Sequence, residues 1–164
     1  MTDLLKSEQY IKEHRGETIE TLCRFAVTDM LLFWSGEESL NIRQQKIWQP
    51  FLDVLQGDNN IAINISENLQ IPENEALLKV LKNKLSNLND NELTAAFLTA
   101  TQLKSVILGL SLLNKRISVE KVFKAAFLEE IYQNELWGSD KEAVEKRKSV
   151  KSELRKIKEY LNNG

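Results

Sequence analysis

The chain has 164 residues, of which 42% are hydrophobic and 28% charged, a composition typical of a globular protein. Its formal net charge of −2 provides no bulk positive field for nucleic acid, and its single cysteine, Cys23, excludes an internal disulfide framework. One domain is expected at this length, and six glycines and two prolines leave little material for a strand-rich fold.

Hydrophobic periodicity predicts an all-α fold, an orthogonal helical bundle of about six helices. The predicted helices cover residues 3–34 as one or two helices, 38–56, 72–88, 91–113, 118–137 and 140–161. Gly16 is a candidate break in the first region, and Pro50 is expected to open a new turn or to kink the second helix. Isoleucines at every second position predict one short extended segment at 61–66.

The helices at 91–113 and 118–137 carry most of the predicted core. Apolar residues cover nearly all sides of helix 91–113, which therefore belongs at the centre of the bundle. Helix 118–137 is expected to pack on it, to begin at a Ser118 cap and to end at Gly138 in a left-handed conformation. Near-complete burial is predicted for Phe97, Ile107, Phe123 and Phe127.

Helix 118–137 also places polar groups where a core is expected. On one continuous helix, Glu130, Gln133 and Asn134 fall on or beside the apolar stripe centred on Phe123. An acid and two amides within an apolar face are costly without partners. They therefore either solve a structural problem, such as a capped helix corner, or form a binding site.

Few residues indicate catalysis or metal binding. Both common glycine-rich phosphate-binding motifs are absent from the sequence, and His14 is its only histidine. Glu129 and Glu130 are adjacent and point about 100° apart on a helix, so they cannot form an acid/base pair by themselves. We therefore expect a binding protein and not an enzyme, with no cofactor and no metal site.

The last predicted helix is strongly basic. Its cationic residues are Lys146, Arg147, Lys148, Lys151, Arg155, Lys156 and Lys158. Acids on the same helix offset this charge in part, and no aromatic residues are interleaved for base stacking. A solvated outer face is the favoured interpretation, and nucleic-acid binding is the alternative.

Four blocks of the sequence are similar to a known family. The most specific is Leu128-Glu129-Glu130-x-Tyr132-Gln133-x-Glu135-x-Trp137-Gly138-x-Asp140-x-Glu142-Ala143. The weaker blocks are Thr28-Asp29-x-Leu31-Leu32, Gln44-x-x-x-Trp48-x-Pro50-x-Leu52 and Ser105-x-Ile107-Leu108-x-Leu110. Together they resemble the α-subunit assembly chaperones of the F-type ATP synthase, over about residues 19–160. Two residues depart from the family pattern, since Asp is usual at the position of Glu129 and common at that of Gln49.

The resemblance implies a chaperone that binds the unassembled α subunit of the catalytic sector and prevents its aggregation before it pairs with β. We expect the client-binding residues to be Glu129, Glu130, Gln133, Trp137 and Asp140. The implied partner is the ATP synthase α subunit, with no nucleic acid and no stable membrane insertion. The implied location is the cytoplasm of a bacterium or the mitochondrial matrix of a eukaryote.

Two further expectations concern domain organisation and the competing function. The family also has an N-terminal β-rich domain, but only 27 residues precede Thr28, so residues 1–164 are expected to form a single helical domain without it. The alternative function is a small-ligand or metal-binding helical module, or an enzyme, that uses Glu129, Glu130 and Asp140.

Overall fold

The computed structural model describes residues 2–163, over which the chain forms nine α-helices and one 3₁₀ helix. The α-helices are α1 (Thr2–Glu13), α2 (Arg15–Val27), α3 (Glu38–Asn59), α4 (Glu75–Ser86), α5 (Asp90–Leu103), α6 (Val106–Leu112), α7 (Val119–Ala126), α8 (Leu128–Trp137) and α9 (Lys141–Asn163). The 3₁₀ helix spans Met30–Leu32, between α2 and α3. The predicted all-α bundle is confirmed, but it has more helices than predicted because three predicted helical regions are each divided in two.

The first division separates α5 from α6, where a single helix over 91–113 was predicted. Lys104 adopts a left-handed conformation with a φ of 60°, and the Ser105 side chain then caps α6 by accepting the Leu108 N–H at 3.0 Å. The fully buried Asp29 supports this cap, since its carboxylate accepts the Ser105 hydroxyl at 2.7 Å and the Ile107 N–H at 3.0 Å. A residue from outside the helix therefore stabilises the break.

The second division falls at Phe127, where a single helix over 118–137 was predicted. The Trp48 indole N–H donates to the Ala125 carbonyl at 2.8 Å. In a continuous helix that carbonyl would accept the N–H of Glu129. The predicted start is confirmed, since Ser118 accepts the Lys121 N–H at 3.2 Å. The helix ends at Gly138 as predicted, but this glycine has a φ of +90° and a ψ of 161° and not the left-handed helical conformation.

The core contains residues from α1 to α9 and is dominated by leucine. Its largest fully buried side chains include Leu22, Trp48, Leu52, Leu77, Leu81, Leu93, Ile107 and Leu108. The predicted burial of Ile107 is confirmed, but Phe97, Phe123 and Phe127 are only half-buried and pack against the edge of the core. The ring of Phe123 faces α9 and not the centre of the core. The Lys151 ammonium of α9 therefore lies 4.9 Å from the centroid of this ring.

Three predicted local features differ in detail. The first helical region breaks at His14, two residues before Gly16. Pro50 lies inside α3, which continues through it without opening a new element. The segment 61–65, predicted to be extended, has no regular secondary structure, and Ser66 after it makes one isolated parallel bridge with Phe33.

Candidate functional site

The α8 helix carries four of the five predicted client-binding residues, and its inner side is attached to the start of α3. Tyr132 is buried, and its hydroxyl donates to the Glu37 carboxylate at 2.5 Å. Glu135 forms an ion pair with Arg43 at 2.5 Å, and this guanidinium also lies 5.1 Å from the Tyr132 ring centroid. The Arg43 partner lowers the pKa of the Glu135 carboxyl. These contacts fix the rotation of α8 about its own axis.

A second side of α8 is largely exposed. Glu129, Gln133 and Trp137 recur at a spacing of four residues, which places them on one face of the helix. Trp137 is 81% exposed and the adjacent Leu136 is 52% exposed. We call these four residues the α8 outer face. Such exposure is unusual for tryptophan, since large aromatic side chains are highly buried on average.

Glu129 connects two of the sequence blocks. The fully buried Gln44 accepts the Ser35 N–H at 2.8 Å and donates its amide N–H to the Glu129 carboxylate at 3.1 Å. Glu129 is exposed as a residue, but its carboxylate end lies against this amide. Desolvation there raises the pKa of Glu129, and the hydrogen bond from Gln44 acts in the opposite direction.

Glu130 lies at the edge between the α8 outer face and α9. Its carboxylate is 3.5 Å from the Arg147 guanidinium, and the exposed fractions of the two side chains are 40% and 12%. The nearer nitrogen, Nη1, is buried without a hydrogen-bond partner within residues 2–163. Glu130 therefore neutralises the charge of the guanidinium but leaves part of its hydrogen-bonding capacity unused.

The prediction that Glu130, Gln133 and Asn134 share the apolar stripe of Phe123 is wrong. The break at Phe127 interrupts the stripe, so Gln133 is exposed and Glu130 faces Arg147. The Asn134 amide donates to the Glu130 carbonyl at 2.7 Å, within its own helix.

Asp140 stands apart from the other predicted acids. It is exposed beyond Gly138 and accepts the Glu142 N–H at 3.2 Å, near the start of α9. Glu129, Glu130 and Asp140 therefore each have a separate partner. Within residues 2–163, no three potential ligands among His, Cys, Asp and Glu are grouped so that they could hold a metal ion. The arrangement offers no observation in favour of the alternative ligand or metal site.

The residues that position α8 were not predicted from the sequence. Glu37 and Arg43 lie more than 90 positions before their α8 partners and resemble ordinary surface charges. Arg147 was assigned to a solvated basic face, but its side chain is only 12% exposed and pairs with Glu130 of α8. Of the residues that position α8, only Tyr132 and Glu135 stood out in the sequence, because they belong to the block that resembles the chaperone family.

Comparison with solved structures shows where this fold occurs elsewhere. Two structures of Atp12 from Paracoccus denitrificans, one of a point mutant, match with a TM-score of 0.87 at 23% identity, over 95% of this chain and 68% of theirs. The chain has the Atp12 fold. A candidate chaperone from Agrobacterium tumefaciens matches with a TM-score of 0.84 at 25% identity, over 93% of this chain and 58% of its own. No protein-family model matches the chain.

The resemblance detected in the sequence is thus confirmed at the level of the fold. The weaker blocks have structural roles within it, since Asp29 binds the start of α6 and Trp48 binds the end of α7. The α8 block differs from them, because much of its surface is exposed. Among residues 2–163, no helix combines the length and the apolar content needed to cross a membrane.

Proposed function

We propose that this chain is an assembly chaperone that binds the unassembled α subunit of the F-type ATP synthase catalytic sector and limits its aggregation before it pairs with β. The fold shared with Atp12 and with a candidate chaperone supports the proposal. The observation that carries it is the exposure of Trp137 and Leu136 on the helix that bears the family-like block. Neither side chain is used to hold the fold together.

The α8 outer face has the composition of a reversible protein-binding surface. An unassembled subunit exposes apolar area that aggregates unless it is covered. Tryptophan is favoured as an anchor in such interfaces, and Trp137 offers nearly its whole indole. Glu129 and Glu130 lie about two helical turns before it and would orient a client that carries a cation at that distance from its apolar contact.

Charge reversal on two sides of α8 tests this proposal. Glu130 and Glu135 are each ion-paired with an arginine of a neighbouring helix, and their side chains are 40% and 50% exposed. Glu130→Lys should abolish the protection of purified α subunit against aggregation, measured by light scattering. Glu135→Lys, the matched control, should retain protection because it faces α3. Loss of protection in Glu135→Lys alone would place the site elsewhere.

A charge swap separates binding from a structural role. The double variant Glu130→Arg with Arg147→Glu restores the ion pair with the charges exchanged. We expect its melting temperature to recover towards that of the wild type while protection of the α subunit stays lost. Recovery of protection together with stability would show that Glu130 serves only the fold.

Truncation of the exposed indole provides an independent test. Trp137→Ala should weaken client binding by about tenfold or more, since interface tryptophans are often dominant contacts. Its melting temperature should be unchanged, because the side chain is 81% exposed. Unchanged client binding would contradict the assignment of the α8 outer face.

A further inference from the structure

A second open surface is formed by helices other than α8. It is a groove of about 940 Å³ between α3, the end of α4, α6 and the connection from α6 to α7. Its apolar lining includes Phe51, Leu55, Ile107 and Leu110, and Val54 at its side is 49% exposed. No α8 residue lines it, so the groove is separate from the α8 outer face.

The polar lining of this groove holds three cations, two acids and four uncharged side chains. Lys84 comes from α4, Arg116 from the connection between α6 and α7, and Lys121 from α7. None of the three side chains is ion-paired with an acid of the part of the chain that the structure describes. We call this surface the basic groove.

The acids in the lining do not neutralise these cations. They are Asp58 and Glu92, so three cations face two acids and a net positive charge remains. The Glu92 carboxylate already accepts the Asn89 N–H at 3.0 Å as part of the capping box of α5. Its charge also interacts favourably with the positive end of that helix.

We propose that the basic groove binds an acidic amphipathic helical segment of a partner protein. The apolar side chains of such a segment would contact the lining around Val54 and Leu110, and its Asp and Glu side chains would pair with Lys84, Arg116 and Lys121. Charge complementarity favours this occupant, since a basic segment would meet three cations that are unpaired within residues 2–163 and only two acids, one of which already caps α5. A helix with one apolar face is the usual occupant of a groove of this kind.

The inference does not depend on the proposed chaperone function. It concerns a different surface, made by helices whose contacts with the rest of the bundle are independent of Trp137. The two surfaces would also select segments of opposite charge, since acids flank the α8 outer face and cations line the groove. A single client could contact both surfaces only through two separate segments.

Site-specific photo-crosslinking tests the proposal in cells that express the full chain. A benzophenone amino acid replaces Val54 in one variant and Ile42 in the control. Both residues are exposed on α3, at 49% and 55%, but Ile42 does not line the groove. Mass spectrometry of the crosslinked peptides identifies what the probe contacts.

We expect the probe at Val54, and not the probe at Ile42, to crosslink a discrete peptide with apolar residues at helical spacing and several Asp or Glu residues. The yield should fall by about tenfold when Lys84→Glu and Lys121→Glu are added, because like charges then face the segment. The neutral pair Lys84→Gln and Lys121→Gln should give an intermediate yield, and serves as the test if the reversed pair lowers the melting temperature.

Several outcomes would overturn the proposal. These are a yield at Val54 no higher than at Ile42, a crosslinked peptide that is neutral or basic, and a crosslink to a second copy of this chain. A yield that is insensitive to both pairs of lysine substitutions would do the same.

Discussion

At the scale of single residues, Asp29 has the most completely defined surroundings. Its buried carboxylate accepts the Leu31 N–H at 3.1 Å, the Ser105 hydroxyl at 2.7 Å and the Ile107 N–H at 3.0 Å. Burial raises the pKa of Asp29, and these hydrogen bonds act in the opposite direction. One side chain thereby joins the turn after α2 to the start of α6.

Removal of this acceptor should be costly. Asp29→Ala leaves two backbone N–H groups and a hydroxyl unsatisfied in a buried site, which should lower the free energy of unfolding by about 2–4 kcal/mol. Asp29→Asn retains one acceptor oxygen and should cost less. Urea unfolding measures the loss in free energy of unfolding for both variants. The control is Asp58→Ala, at an exposed residue, which should lose about 0.5 kcal/mol or less. Equal losses in Asp29→Ala and Asp58→Ala would contradict the role assigned to this carboxylate.

Glu129 should couple client binding to pH. Because burial raises its pKa, the carboxylate takes up a proton at a higher pH than an ordinary glutamate, and client binding should weaken there. A raised folded-state pKa also means that the ionised form opposes folding, so its protonation adds stability as the pH falls.

The substitution Glu129→Gln isolates this effect. It should leave the melting temperature at neutral pH unchanged or slightly raised, and this difference from wild type should disappear at low pH. Client affinity should become less dependent on pH in the variant. Affinity titrations at several pH values check this, and an identical pH profile in wild type and variant would contradict it.

At the scale of elements, the most extensive helix–helix contact lies between α5 and α6. A Cβ atom added at Gly109 would stand 2.8 Å from the Ala96 carbonyl oxygen and 3.2 Å from the Ala100 Cβ. Small residues on both helices therefore allow their backbones to approach. The apolar pattern of 91–113 reflects this packing, because it covers two helices that bury their facing sides against each other.

Gly109→Ala should force these helices apart and lower the free energy of unfolding by about 1–3 kcal/mol. The matched control is Gly57→Ala, which lies in α3 with nothing within 4 Å of the added Cβ. That substitution should raise stability by about 0.5–1 kcal/mol, since alanine favours the helix. Thermal unfolding of both variants tests this, and the changes in stability are expected to have opposite signs.

The sequence allowed most helices to be predicted but not the two breaks in its second half. Local periodicity locates α3, α4 and α9 because their apolar spacing is visible within each segment. The breaks depend on Trp48 binding the Ala125 carbonyl, 77 positions away, and on Asp29 binding the start of α6. Contacts of this range leave no local pattern.

The candidate site was also predictable only where it depends on local helix geometry and not on contacts between distant parts of the chain. Glu129, Gln133 and Trp137 were expected as client-binding residues, and they lie on one face because they belong to one unbroken helix. That they bind a client stays a prediction. The placement of Glu130 relative to Phe123 was wrong, since it assumed that the helix continues through Phe127. That Glu130 and Arg147 meet depends on how α9 packs against α5 and α7, which the sequence pattern does not specify.

At the scale of the whole molecule, the basic residues of α9 are largely used within the fold. Lys151 and Arg155 both pair with Glu120 of α7, at 2.6 and 3.0 Å, and lower the pKa of its carboxyl. The Lys158 ammonium donates to the carbonyls of Leu112, Asn114 and Ile117 at 2.6, 2.9 and 2.9 Å. The charge on α9 therefore attaches this helix to α6, α7 and their connection.

Neutralisation of Lys148, Lys151 and Arg155 together should leave protection of the α subunit intact. Stability should fall modestly, because these ion pairs are wholly or partly exposed and contribute about 1 kcal/mol or less each. Aggregation assays and thermal unfolding of the triple variant check both expectations. Complete loss of protection with the fold intact would make the basic face the binding surface.

The three tryptophans occupy very different environments, which gives the protein an intrinsic optical reporter. Trp34 and Trp48 are buried, with both indole N–H groups bound to carbonyls at 2.8 Å, whereas Trp137 is 81% exposed. Acrylamide should therefore quench one component of the emission, the most red-shifted, and spare the other two until the bundle unfolds. A ligand that covers the α8 outer face should shift that single component to the blue and shield it from the quencher, so that binding and folding can be followed separately in one unlabelled sample.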